Sequence, residues 1–386
     1  MTLESVVLLL ASAQSFLLAV LIFQKRHAVY ANRFLALMMF ACGLSVLHML
    51  LQDNGFYDKF PFFLYAILGV PFLVPPSHLM YTRYLVSDSG EFSGRDWLHF
   101  LPAAAVELLV FVVVLTFHGF IALPPGEDAA LVPLPFRIYN WVLVIFGVGY
   151  TSVTLHMLAG YSQTAKEVTS SLESVRLGWL RYLTLAAMSA WIIFLVENTL
   201  MSAGINVSNF LITSICAGIY VYSIGYYGLL KSEVFSTPAV RSVMAEIIGS
   251  ASGKGSSSRK YERSGLDDDT SEFIASKLID IMEREKPFTE PSLTLAQLAG
   301  MLSISPHNLS EVINTKFGRN FFDFVNGYRI DAVKKDLADP SKNDLNILSI
   351  AFDAGFNSKA TFNSVFKQAT LLTPSEYRRS AANPGE

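Results

Sequence analysis

Two short stretches of this chain carry polar side chains at helical spacing: His307, Asn308, Ser310, Glu311 and Asn314 in one, and Lys359, Asn363, Ser364 and Lys367 in the other. Each set lies opposite apolar residues, Leu309, Val312 and Ile313 in the first and Phe362, Val365 and Phe366 in the second. A helix of either stretch buries one side and offers the other to a partner. Amide, hydroxyl, imidazole and ammonium groups so arranged read a hydrogen-bonding surface; they do not make or break bonds. No helix of the apolar N-terminal part carries a nucleophile–base pair or a metal-ligand pair at a useful spacing, and neither an enzyme nor a metal or other cofactor is expected.

Each stretch is preceded by the elements needed to position it. Leu295, Leu298, Ala299 and Leu302 repeat helically; a break follows at Ser303-Ile-Ser305, where Ser305 suits an N-cap and Pro306 the first helical position. Helix, tight turn, helix is the shape that lays a helix in a DNA major groove. The pattern recurs as a helix over 345–354, a turn at Gly355-Phe-Asn357 and a helix capped by Ser358 and running to Thr370. Between the two units a helix is expected over 321–338, ended by Asp339-Pro340. It spans about 27 Å, long enough to set two reading units about one DNA turn, roughly 34 Å, apart.

The first 230 residues are of another kind. The chain has 386 residues, is 52% hydrophobic and has a net charge of −3, so no overall field draws it to nucleic acid. Its apolar residues gather in seven blocks, about 3–23, 34–52, 60–82, 97–118, 137–160, 179–202 and 208–230, most of the length that crosses a bilayer core. The first block has neither a basic stretch before it nor a small-residue cleavage site after it, and reads as a retained span. Cys42 and Cys216 fall inside blocks and read as small buried hydrophobes. Basic residues set the orientation: Lys25, Arg26, Arg33, Arg83, Arg95, Lys166, Arg176 and Arg181 fall in one set of loops, and only Lys59 and Arg137 in the other. The N-terminus is therefore expected outside and the C-terminal part in the cytoplasm. Pro71, Pro75 and Pro76 should break the third span.

Polar groups at membrane depth are costly and need partners or water. His48, Glu107, Asn140, Glu197 and Asn198 fall in or near the spans, most of them in the outer half. Two readings stand: an outward-facing pocket for a small ligand, or hydrogen bonds that glue helices together. Residues 231–270 read as a cytoplasmic linker. It holds an amphipathic segment over 232–248, a flexible Gly/Ser tether over 249–258, and Asp267-Asp-Asp269 as the start of a helix.

The C-terminal part resembles the arabinose-regulator (AraC) family of transcription factors. The matching residues are Leu309-Ser310, Tyr328-Arg329, Ala351, Gly355-Phe356, Ser358, Phe362, Phe366-Lys367, Thr373-Pro374 and Tyr377-Arg378. Lys260–Leu266 and Tyr226-Tyr-Gly-Leu229 also resemble membrane-anchored members with a multispan N-terminal sensor. The resemblance implies two helices in successive major grooves on one DNA face. It places His307, Ser310 and Glu311 at base-facing positions of the first, and Lys359, Thr361, Asn363 and Ser364 at those of the second. Asn pairs well with adenine and Lys with guanine. Lys316, Arg319, Lys334, Lys367, Arg378 and Arg379 are expected on phosphates. Where the family has Gly after the last reading helix, this chain has Leu371.

The expected architecture is thus all-α: a seven-helix transmembrane bundle (1–230), a cytoplasmic linker (231–270) and an AraC-type DNA-binding domain with two helix-turn-helix units (271–386). The expected function is a one-component regulator in the bacterial inner membrane, acting as an activator. Its expected partners are promoter DNA, the lipid bilayer, an unidentified small molecule, RNA polymerase and a second copy of itself. The rival is a transporter or channel with a DNA-binding reporter domain.

Overall fold

A computed structural model describes residues 3–26, 29–86, 94–116, 134–172, 177–203, 205, 211–231 and 266–382. Among these the secondary structure is helical, with one isolated antiparallel bridge and no named strand. Two compact units form: residues 1–159 with 177–237, and residues 160–176 with 238–386. The second unit therefore takes in a segment that lies, in the chain, between two apolar helices.

The first unit contains α1 (Leu3–Phe23), α2 (Val29–Asp53), α3 (Phe56–Lys59), α4 (Pro61–Tyr65), α5 (Val74–Val86), α6 (Leu101–Thr116), the start of α7 (Leu134–Val168), α8 (Gly178–Ser202) and α9 (Leu211–Lys231). Among the described residues six helical stretches are long and apolar enough to cross a membrane; seven apolar blocks were expected. The seventh block forms α9. The third span is interrupted as its prolines require, with a 3-10 turn at Val70–Leu73 leading into α5. The fifth was expected to end near residue 160, but α7 continues to Val168 because no helix breaker stands in Tyr161–Val168. Its 35 residues measure about 52 Å, against a hydrocarbon core of roughly 30 Å.

Packing in this unit follows membrane practice. Ser12 on α1 donates to the Gly43 carbonyl of α2 at 3.1 Å, the close backbone approach that small residues allow. Val7, Leu10, Leu17 and Val20 of α1, Leu108 and Leu109 of α6, and Ile138 and Ile145 of α7 are exposed.

The second unit contains α10 (Asp268–Arg284), α11 (Leu295–Met301), α12 (Pro306–Phe317), α13 (Phe321–Ala338), α14 (Ile347–Asp353), α15 (Lys359–Thr370) and α16 (Pro374–Ala382). Caps delimit most of these helices. Asp267 accepts from Thr270 N–H, Thr294 and Gln297 form a capping box, and Ser305, Asn320, Asn346 and Ser358 each cap the helix that follows. The Thr270 hydrogen bonds hold the Asp267 carboxyl below its ordinary range.

Two large apolar cores form along α13, beside a smaller cluster of Ile274, Ala275 and Val312. Leu278, Phe288, Leu298, Leu309, Ile313, Phe324 and Val325 build the first, and Ile330, Val333, Leu337, Ala351, Phe356, Phe362 and Phe366 the second. Ala332 packs against both. The expected linker helix over 232–248 and the tether over 249–258 lie outside the described residues.

Two turns set the backbone limits of this unit. Gly355 has φ +98°, and a Cβ there would meet the Phe288 carbonyl oxygen at 2.3 Å. Leu371 ends α15 at φ 62° with its side chain 83% exposed, so the left-handed strain has no packing to offset it. Calorimetry of the full chain in detergent should show opposite shifts in the melting of this unit. Leu371→Gly is expected to stabilise it by about 1 kcal/mol. Gly355→Ala should destabilise it by about 2 kcal/mol or more. Shifts of equal sign would contradict this account of the two turns.

Candidate nucleic-acid interface

The helix-turn-helix geometry arises locally in both halves. In the first, α11 ends at Leu302, Ser303 takes a left-handed conformation at φ 57°, and Ser305 opens α12 by accepting from Asn308 N–H. In the second, α14 ends at Ala354, Gly355 turns the chain, and Ser358 caps α15. Leu309, Val312 and Ile313 of α12, and Phe362 and Phe366 of α15, are buried. These side chains fix the roll of each helix and so decide which residues face outward.

On α15 the outward face is as expected. Lys359, Asn363, Ser364 and Lys367 are exposed, and Thr361 is half-buried. On α12 the outcome differs. His307 is exposed and Ser310 half-buried, but Glu311, expected on the outside, is 8% exposed. Asn314, one turn on, is half-buried and donates to Glu167 at 3.4 Å. Helical periodicity sets which side of the helix a residue takes, but it does not say whether that side meets solvent.

Three residues expected on phosphates are engaged inside the fold, Lys334 through Asp331 at 3.3 Å. Lys316 pairs with Asp268 and with Glu272 (3.1 Å) on α10, whose hydrogen bonds raise its pKa. Arg378 donates to the Leu345 carbonyl at 2.9 Å and holds the loop ahead of α14. Arg319 and Lys367 remain exposed.

The centre of the unit is Arg329, of α13, 1% exposed. Its Nε donates to the Phe288 carbonyl (2.7 Å) and Nη2 to the Glu290 carbonyl (2.7 Å). Nη1 donates to Asn326 Oδ1 (3.2 Å) and the Ser170 carbonyl (3.1 Å), and Nη2 also reaches Ser170 Oγ (3.1 Å). The guanidinium stands 5.8 Å from the centre of the Phe356 ring. Burial pulls its pKa down to about 10, countered by the charge of Glu290, so the group stays cationic at neutral pH. In the sequence it had shown only as a family match, with no role.

The five polar residues considered for a ligand pocket all have hydrogen-bond partners. His48 Nδ1 meets Tyr57 OH at 2.7 Å, and Gly69 N–H donates to Glu107 Oε2 at 3.0 Å. Asn140 Nδ2 donates to Asn198 Oδ1 at 3.2 Å, and the Thr213 hydroxyl donates to Glu197 Oε2. These bonds tie α2 to α3, the turn before the 3-10 segment to α6, α7 to α8, and α8 to α9. Such bonds hold helices together, while Glu197 Oε1 and Asn198 Nδ2 are buried without a hydrogen-bond partner among the described residues. Among the described residues no His, Cys, Asp or Glu cluster is able to hold a metal.

A family model described as a helix-turn-helix domain matches residues 298–380. An uncharacterized HTH-type transcriptional regulator of Staphylococcus aureus (strain COL) is 36% identical over 86 residues, covering 22% of this chain and 11% of that protein. The uncharacterized transcriptional regulatory protein YesN of Bacillus subtilis (strain 168) is 32% identical over 108 residues, 28% of each chain. The solved C-terminal domain of AraT, a response regulator from Geobacillus stearothermophilus, is similar at 27% identity, covering 30% of this chain and 88% of that one, with a TM-score of 0.25. The chain thus spans 11% to 28% of the length of these two relatives. The C-terminal part is a helix-turn-helix domain of the AraC type.

Lysine has no planar fork to serve several carbonyls at once. Arg329→Lys should therefore strand buried acceptors and lower the stability of this unit by about 3 kcal/mol. Denaturant unfolding of the full chain checks this; a loss under about 1 kcal/mol would show that the guanidinium is not what joins the two halves.

Proposed function

We propose that this chain is a membrane-held, one-component transcriptional regulator. Its first unit lies in the bilayer and senses a small ligand or the state of the membrane. Its helix-turn-helix domain reads promoter DNA and acts as an activator through RNA polymerase. The observation that carries the reading is the outer face of α15. Lys359, Asn363, Ser364 and Lys367 stand exposed on a helix whose roll is locked by Phe362 and Phe366. Amide and ammonium groups of this kind suit purine edges in the major groove, and Lys367 and Arg319 suit phosphates. His307 and Ser310 of α12 are assigned to a second groove, and Lys316 and Arg378 contact phosphates only if their internal partners give way.

The membrane placement is supported by six helical stretches of sufficient length and apolarity, with lipid-compatible side chains on outward faces. The basic-loop bias supports a cytoplasmic C-terminus. His48, Glu107, Asn140, Glu197 and Asn198 are assigned to sensing: their interhelical bonds are what a ligand or a change in lipid packing would re-form.

Binding of the full chain in nanodiscs to its own upstream region tests the reading. A labelled duplex should be displaced by unlabelled specific competitor at concentrations where a scrambled duplex is inert. No preference at moderate salt would defeat it. Lys359→Ala and Asn363→Ala should each weaken specific binding by about 1–3 kcal/mol, while leaving weak binding to scrambled DNA nearly unchanged. Equal losses on both duplexes would remove these residues from base reading.

A further inference from the structure

Residues 160–176 belong to the second compact unit, although the chain places them between α7 and α8. Their seat there is specific. Thr169 forms an antiparallel bridge with Thr294, the residue that caps α11. Ser170 N–H and Ser170 Oγ both donate to the Leu293 carbonyl, at 3.1 and 2.7 Å. The Ser170 carbonyl accepts from Asn326 Nδ2 at 3.2 Å and from Arg329 Nη1 at 3.1 Å. Ser171 Oγ donates to Asn357 Oδ1 at 2.9 Å. Thr169, Ser170 and Ser171 are all buried. A short polar segment with backbone and side chains bonded on several sides occupies a built receptor, not a chance contact.

The receptor overlaps the DNA-reading elements. Asn357 lies in the turn that leads into α15, next to its cap Ser358. Thr294 begins the first helix-turn-helix unit. Glu167 accepts from Asn314 on α12, and Glu311, on the same face one turn earlier, is buried. A carboxylate thus sits beside the first reading helix, where a groove would bring phosphates.

We propose that Glu167–Ser171 forms an intramolecular strap that seats in the helix-turn-helix domain and masks α12, so that strap and duplex DNA exclude each other there. This rests on the DNA-reading function proposed above and adds its control. With the strap seated, only α15 presents a complete reading face. Release of the strap restores the second grip, and two linked grips bind far more tightly than one.

The test uses the full chain in nanodiscs and its preferred duplex. Thr169→Cys with Thr294→Cys places a cysteine pair on neighbouring bridge positions, within disulfide reach. The oxidised, locked protein should bind at least about tenfold more weakly than the same protein reduced, while wild type under the same oxidant is unchanged. Glu167→Ala with Ser171→Ala, which loosens the strap, should bind more tightly than wild type. Equal affinity of locked and reduced forms, or weaker binding by the loosened variant, would overturn the strap as a mask. Sequence-independent binding by the reduced and wild-type forms alike would instead defeat the DNA-reading proposal, and the strap's role with it.

Discussion

The helix-turn-helix unit depends on one buried cation. Taking a guanidinium out of water costs several kcal/mol, and Arg329 remains charged at neutral pH. The cost is offset because its planar fork meets the Phe288 and Glu290 carbonyls, Asn326 Oδ1 and the Ser170 carbonyl and hydroxyl together. Those acceptors come from the loop before the first helix-turn-helix, from α13, and from the strap. Phe356, beside the guanidinium, belongs to the second core. Two apolar cores that share only α13 are joined through this one polar centre. The absence of a Cβ at Gly355 is part of the same constraint, because a side chain there would strike both the Phe288 carbonyl and Arg329 Nε.

The membrane-type unit is held by the opposite rule. Apolar side chains that would drive folding in water face outward along α1, α6 and α7. Specific cohesion comes instead from small residues and from paired polar groups, such as buried His78 between Thr184 (3.1 Å) and Tyr220 (2.6 Å). Under the proposed sensing role, such polar groups would serve packing and response at once: each bond that closes the bundle is also one that a ligand would compete for.

Much of this was legible from local chemistry. Ser305, Pro306 and Ser358 marked the starts of the reading helices, Gly355 the second turn, and the prolines at 71, 75 and 76 the broken span, because caps and breakers act within a few residues. The left-handed Leu371 could be suspected from the family pattern alone. What could not be read was non-local. Ser170 meets Arg329 across 159 positions of sequence, and a Thr-Ser-Ser run after a helix resembles any polar loop. Glu311 illustrates the limit: amphipathic spacing assigned its side of the helix but not its burial. The length of α7 was missed for a related reason, since apolarity ended before helix propensity did.

The unequal state of the two reading helices has a kinetic side. Under the proposed membrane placement, the DNA-reading unit would meet the chromosome often but briefly. With the proposed strap seated, each encounter would engage a single groove and end quickly, since differences in affinity among related complexes reside mostly in dissociation. Unmasking α12 changes how long the protein stays far more than how often it arrives. Regulation through such a strap would act on dwell time: a continual inspection of promoters would become occupancy only when the second hand closes.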